Sequence, residues 1–228
     1  SGCPFVKIDV KTAFSITETP LHVKTVRMSS MTCGALDGKL KLLTKFMFMK
    51  KKLLIVGPFG DHGGRDVEAN IIAKSLEQYY STTILSTSYM TEHSFALSGL
   101  QQTAWKSLPK ELYQNHFWLR SLSQFSKTFN KGSKQAYGYL INSFSKKTTD
   151  LEGLYWKQIK EELTHADLVL LCTQLTTKFL KEIVLYCHEN NIPCVVRTTG
   201  TIRNVKAADF DFLKKITLFI HHSEANAN

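Results

Sequence analysis

The chain has no Cys-x-x-Cys pair, and its five cysteines (Cys3, Cys33, Cys172, Cys187 and Cys194) are odd in number. That argues against a disulfide framework or a thiolate metal centre, and buried thiols in a reducing cytosol are expected instead. No apolar run approaches the roughly eighteen residues of a membrane span, and no signal-peptide pattern opens the chain. The better-known phosphate fingerprints are missing too. No Lys-Ser or Lys-Thr follows the glycines, as a P-loop requires, and Gly57, Gly60, Gly63 and Gly64 do not take the Gly-x-Gly-x-x-Gly spacing. Dinucleotide-binding folds place an acid after the second strand, but Ile84 to Tyr89 runs into Ser, Thr and Tyr, which weakens a nicotinamide or flavin reading. There is no Asp-x-Asp metal motif, and Asp61, Asp66 and Glu68 suit the negative charge favoured at a helix start.

Acidic residues are in deficit, 19 against 29 Lys and Arg, for a net charge of +10. Residues 1–52 hold ten Lys or Arg and three Asp or Glu, whereas residues 53–228 hold nineteen and sixteen. The excess therefore lies in a segment without sustained apolar period, and a solvated stretch is expected there in preference to a nucleic-acid site. Val6, Ile8 and Val10 alternate as one short strand would. The folded part is expected to begin near Met47 or Met49, with residues 1–48 a poorly ordered or non-native extension and 49–228 a Rossmann-like domain. At 228 residues, 43% of them hydrophobic and 21% charged, the chain can build a substantial core.

What is present begins at Leu53–Val56, a continuous apolar run of the kind buried on both faces of a parallel sheet. Four glycines then crowd positions 57–64. From Arg65 the period becomes helical, and Val67, Ile71, Ile72, Leu76 and Tyr79 are expected to form its buried stripe. Free N–H groups at such a helix start can seat a phosphate, or the loop can be a plain tight connection; Arg65 can serve that anion or stand solvated in the first turn. Thr82–Leu85 is a second strand. Residues 91–149 look mostly helical and irregular. Their aromatics (Trp105, Tyr113, Phe117, Trp118, Phe125, Phe129, Tyr137, Tyr139, Phe144) lie among basic residues and could stack on bases, but core packing of short helices is expected.

The second half is more regular. Trp156, Ile159, Leu163 and Ala166 mark a helix, and Asp167–Cys172 a strand. Thr176 or Thr177 could cap the next helix, whose stripe is Phe179, Leu180, Ile183, Val184 and Cys187 and which Asn190, Asn191 and Pro193 end. Strands follow at Cys194–Thr199 and Ile216–Ile220, with a short helix over 209–215. This alternation predicts an α/β fold, a Rossmann-like parallel sheet with helices on both faces and right-handed crossovers. Ligands bind beyond the carboxyl ends of such strands, at Gly57–Arg65, Ser86–Tyr89, Cys172–Gln174, Thr198–Thr201 and His221–Glu224.

The Gly63-Gly-Arg loop, Ala166-Asp-Leu-Val-Leu-Leu171, Asn191-Ile-Pro-Cys-Val-Val-Arg-Thr-Thr-Gly-Thr201 and Leu218-Phe-Ile-His-His-Ser-Glu224 together resemble the N-terminal, acceptor-side half of retaining GT-B glycosyltransferases, closest to glycosyltransferase family 4. The resemblance covers about residues 49–228. It implies a hexosyltransferase taking a nucleotide sugar to an acceptor glycan or lipid-linked acceptor. It also implies no metal or other cofactor, no nucleic acid, and a cytoplasmic location with peripheral attachment at the inner face of a membrane. It places Gly60, Asp61, His62, Gly63, Gly64 and Arg65 at the donor phosphates, and Thr198, Thr199, Gly200, His222, Ser223 and Glu224 along the acceptor cleft. Two departures stand out: Thr199 occupies the family's histidine slot, and the donor domain with its Glu-x7-Glu motif does not follow Asn228. A fragment inactive alone is expected. The alternatives are a non-catalytic Rossmann-like binding or assembly module, or another nucleotide-dependent α/β enzyme.

Overall fold

Leu53, Leu54, Ile55 and Val56 are all at most 3% exposed. A strand buried on both faces needs hydrogen-bonded neighbours on both edges and a layer on each side. The computed structural model supplies these; it describes residues 50–130, 133–198 and 207–220. The extension assigned to residues 1–48, including the strand at Val6–Val10, lies outside the described residues. So do Thr199, Gly200, His222, Ser223 and Glu224.

Strand β1 (Lys51–Gly57) leads through the glycine loop into helix α1 (Gly64–Leu76), and β2 (Tyr80–Ser86) follows. A 3-10 turn (Phe95–Leu97) precedes β3 (Ala104–Ser107), α2 (Leu108–Asn115) and α3 (Phe117–Asn130). A second such turn (Ala136–Tyr139) precedes α4 (Ser143–Thr148) and α5 (Leu151–Leu163). Then come β4 (Leu168–Thr173), α6 (Leu180–Glu189), β5 (Cys194–Thr198), a 3-10 segment (Ala207–Lys215) and β6 (Leu218–Ile220). The strands form one sheet in the order β3-β2-β1-β4-β5-β6, and every pairing is parallel. The α/β expectation holds. Asp167 sets the β4 register: its carboxylate accepts the Lys52 N–H at 2.7 Å and its own N–H reaches the Lys52 carbonyl at 2.9 Å.

Successive side chains of β1 feed opposite layers, as the two-residue repeat of a strand demands. Leu54 and Val56 join Leu112, Ile159, Leu163, Val184 and Val196 in the larger cluster, beneath α2, α5 and α6. Leu53 and Ile55 join Phe59, Ala69, Ala73 and Met90 beneath α1. Each fully buried Leu or Ile contributes about 1.5–3 kcal/mol by leaving water.

Four expectations are corrected. The buried face of α1 is Ala69, Ala73 and Leu76, while Val67, Ile71 and Tyr79 are 44%, 60% and 55% exposed. Small alanines let the helix approach the sheet closely, and the larger residues are turned outward. Thr176 and Thr177 do not cap α6. The residue before it is Phe179, with φ of 69°, and Thr177 instead accepts the Gln174 N–H at 3.2 Å. Ala104–Ser107 is a strand inside the stretch expected to be helical and irregular. It is a four-residue edge strand carrying Lys106, too short and too polar to announce itself. Finally, Phe117, Trp118, Phe125, Phe129 and Phe144 are between 56% and 81% exposed and are not core.

Candidate functional site

The sheet reverses its direction of growth between β1 and β4, and the crevice beyond the carboxyl ends of those strands is where such sheets bind ligands. Its near wall is the β1–α1 loop, which is held from three sides. The Asp66 carboxylate, 4% exposed, accepts the Gly60 N–H at 2.9 Å. Asp61 accepts from both the main-chain N–H and the hydroxyl of Thr91, at 2.6 and 2.9 Å. Ser94 donates its hydroxyl to the Gly60 carbonyl at 2.5 Å, and the Phe95 N–H reaches the Asp61 carbonyl at 2.9 Å. His62 lies edge-on to Phe95, ring centroids 4.9 Å apart. Asp61 and His62 therefore have partners in the segment after β2.

The glycines differ in what they permit. A methyl at Gly63 would stand 3.1 Å from an Asp66 carboxylate oxygen. At Gly64 it would meet nothing within 4 Å. No side chain caps α1. The N–H groups of Asp66 and Val67 both return to the Gly63 carbonyl at 3.2 Å, and those of Gly64 and Arg65 have no protein acceptor among the described residues, as expected for a helix's first turn. Arg65 is half-buried, donates one terminal N–H to the Pro58 carbonyl at 3.3 Å, and keeps a buried Nε without a protein partner.

Two residues that the sequence did not place in a site complete this wall. Glu68, one turn into α1, forms an ion pair with Arg197 on β5, and Arg197 also donates to the Thr198 carbonyl at 2.9 Å. The signal in sequence was a lone cation, Arg197, directly after the apolar run Cys194–Val196. The pair ties α1 to the far half of the sheet. Burial pushes the Cys172 thiol up to about 12, with Glu68 adding to the rise and Arg197 and Arg65 opposing it. Cys172 is thus a neutral packing residue. Gly57 and Pro58, at the start of this loop, line a shallow hollow open to solvent with Thr87, Thr173, Thr177 and Lys178 across from them. Lys178 there pairs with Glu152 at 2.5 Å.

Burial raises the Asp66 carboxyl above its ordinary 3.8, more than the Gly60 N–H, Arg65 and His62 lower it. The folded state therefore holds that proton more tightly than the unfolded chain. The stability this contributes is present below pH 3.8 and is lost as pH rises through the raised folded value. Asp66→Asn keeps an acceptor for Gly60 without ionising. In urea titrations between about pH 4 and 7 its stability should fall less with pH than the wild type's; parallel curves would refute this.

Fold and site thus define a doubly wound α/β protein with an anion-compatible helix start at its switch point. No family model matches the chain, and no curated protein does. Among solved structures it is similar to the crystal structure of phenylacrylic acid decarboxylase from Aquifex aeolicus, at 10% identity over 77% of this chain and 82% of that one, with a TM-score of 0.36. The glycosyltransferase family 4 resemblance, and the sugar transfer it implied, are corrected here: no family model, that one included, matches the chain. The described parts of the segments that carried the resemblance are a glycine turn, two buried strands and a partly exposed edge strand, such as any doubly wound sheet contains. Likeness at this level assigns the chain no activity. Among the described residues no helix is long and apolar enough to cross a membrane.

Proposed function

We propose that the protein binds a small phosphate-bearing molecule of the nucleotide class at the β1–β4 switch point, its phosphate seated on the Gly64 and Arg65 N–H groups. One observation carries this: the space over Gly64 is open, and the helix start beside it has two free main-chain donors and an unpaired buried Arg65 Nε. A helix N-terminus stabilises an anion through these donors and its dipole, and an arginine adds a charge-assisted bond. Gly63 and Gly64 let a ligand approach the backbone. The compartment we propose is the cytosol, where reducing conditions preserve thiols such as the free, buried Cys172, Cys187 and Cys194.

Thermal unfolding with uridine or adenosine diphosphate, against the matching nucleosides, tests the reading. A ligand at 100 times its Kd stabilises the fold by about 2.7 kcal/mol. Diphosphates should raise Tm and nucleosides should not. Gly64→Val meets no protein atom as its Cβ is added, so it should unfold close to the wild-type temperature yet lose the diphosphate shift. A shift retained in Gly64→Val, or equal shifts from nucleosides, would overturn the proposal.

A further inference from the structure

Among the described residues, helix α3 is held by one side only. Leu119 and Ser123 are buried, the Ser123 hydroxyl donates to the Ala136 carbonyl, and the helix rests on α2 and the Ala136–Tyr139 turn. That anchoring fixes which face points outward. Trp118, Phe125 and Phe129, at intervals of seven and four, share one stripe about 16 Å long. They are 58%, 66% and 71% exposed. Phe117 at the helix start is 81% exposed, and beyond the turn Ile141 and Phe144 are 52% and 56% exposed. Water-facing aromatics in such a group mark an interaction surface.

The charge of this stretch of the chain is of one sign, and Arg120 and Lys127 lie on the side of α3 opposite the aromatic stripe. Residues 112–149 contain six Lys or Arg (Arg120, Lys127, Lys131, Lys134, Lys146 and Lys147) and no Asp or Glu. Arg120, Lys127, Lys146 and Lys147 are exposed. Aromatics on one face of a helix and cations on the other have the composition of helices that lie in a bilayer interface. Each cation near an anionic surface adds about 1 kcal/mol of attraction. Base stacking suits the site less well, because the Phe125 and Phe129 rings lie against each other with centroids 4.6 Å apart. None of these residues lines the crevice.

We infer that α3 docks the protein on an anionic lipid surface, burying Trp118, Phe125 and Phe129 among the acyl chains at headgroup level while Lys127, on the other face of α3, and the exposed Lys146 and Lys147 of α4 attract the headgroup phosphates. The attachment is peripheral and independent of the ligand proposed above.

Vesicle co-sedimentation of the full chain tests this. Vesicles of phosphatidylcholine with roughly 30 mol% phosphatidylglycerol should capture the protein, and pure phosphatidylcholine or high salt should capture far less. Phe125→Ser/Phe129→Ser should keep the wild-type Tm, since both rings are exposed, and weaken partition at least about tenfold. Lys127→Ala/Lys146→Ala/Lys147→Ala should weaken it roughly 100-fold at low salt. Bound Trp118 fluorescence should shift to the blue, and Trp118→Phe should remove that shift. Failure of the wild type to partition, or partition unchanged in both multiple variants, would overturn the inference. Tight binding to a single-stranded oligonucleotide without vesicle binding would overturn it in favour of nucleic acid. A dimer abolished by Phe125→Ser/Phe129→Ser, again without vesicle binding, would reassign the face to a second copy.

Discussion

Phe59→Ala is expected to lower the stability of the protein by about 3–5 kcal/mol, the cost of removing a fully buried phenylalanine. Phe59 belongs to the β1–α1 loop, yet it is 0% exposed and sits in the cluster formed with Ile55, Ala69, Ala73 and Met90. Its carbonyl accepts the buried Ser86 hydroxyl at 2.7 Å, so ring and main chain are both fixed. Alanine leaves a cavity in this cluster beneath α1, where Ala69 and Ala73 have no side chain long enough to fill it. Chemical denaturation should show a lower midpoint with little change in m, because the surface exposed on unfolding barely changes. A loss under about 1 kcal/mol would mean that the loop collapses onto the cluster and that Phe59 is not its anchor.

Gly57→Ala is the second large effect. A Cβ there would stand 2.6 Å from the main-chain oxygen of Cys172 and 2.7 Å from the Phe59 ring. The Cys172 oxygen belongs to β4, next to β1 in the sheet, and a strand cannot retreat without lengthening ladder hydrogen bonds. Overpacking of this kind costs about 1–3 kcal/mol, occasionally more. The two sites touch, so their effects should not add. In Gly57→Ala/Phe59→Ala the ring contact disappears while the Cys172 oxygen remains, so the double variant should lose less than the sum of the single losses. A strictly additive cycle, measured by urea unfolding, would show that the new methyl strains only the backbone of β4. Gly64→Val is the counterpart in the same loop: a larger side chain is expected to cost little, because it has no neighbours to displace.

Most of the sheet could be read from the sequence. Leu53–Val56, Leu168–Cys172 and Cys194–Val196 are apolar runs that must be buried on both faces, and the intervening helical periods require parallel strands. The Asn190, Asn191 and Pro193 stop signals also hold: α6 ends at Glu189, and Asn191 takes a φ of 55°. The glycine loop was legible as a turn, but which glycine serves packing and which leaves open space was not. That division depends on Cys172, more than a hundred residues away. The Glu68–Arg197 pair was equally hidden, since Glu68 read as a helix-start acid and Arg197 as part of a strand, more than a hundred residues apart. The same applies to Asp61 and His62, whose partners Thr91 and Phe95 follow another strand.

Composition and periodicity thus determined the α/β class, the position of the crevice-forming loop and most strands, because burial on two faces imposes a local demand on every residue of a run. Only the tertiary structure decided which apolar residues are covered. Val67, Ile71, Trp118, Phe125 and Phe129 have the same preference for burial as Leu53 or Ile159, and each lies in a helix with a defined inner face. Close approach through Ala69 and Ala73 turns one set outward. Anchoring of α3 through Leu119 and Ser123 turns out the other. Hydrophobicity states what a side chain would gain by leaving water, whereas the removal of water depends on neighbours supplied from distant parts of the chain.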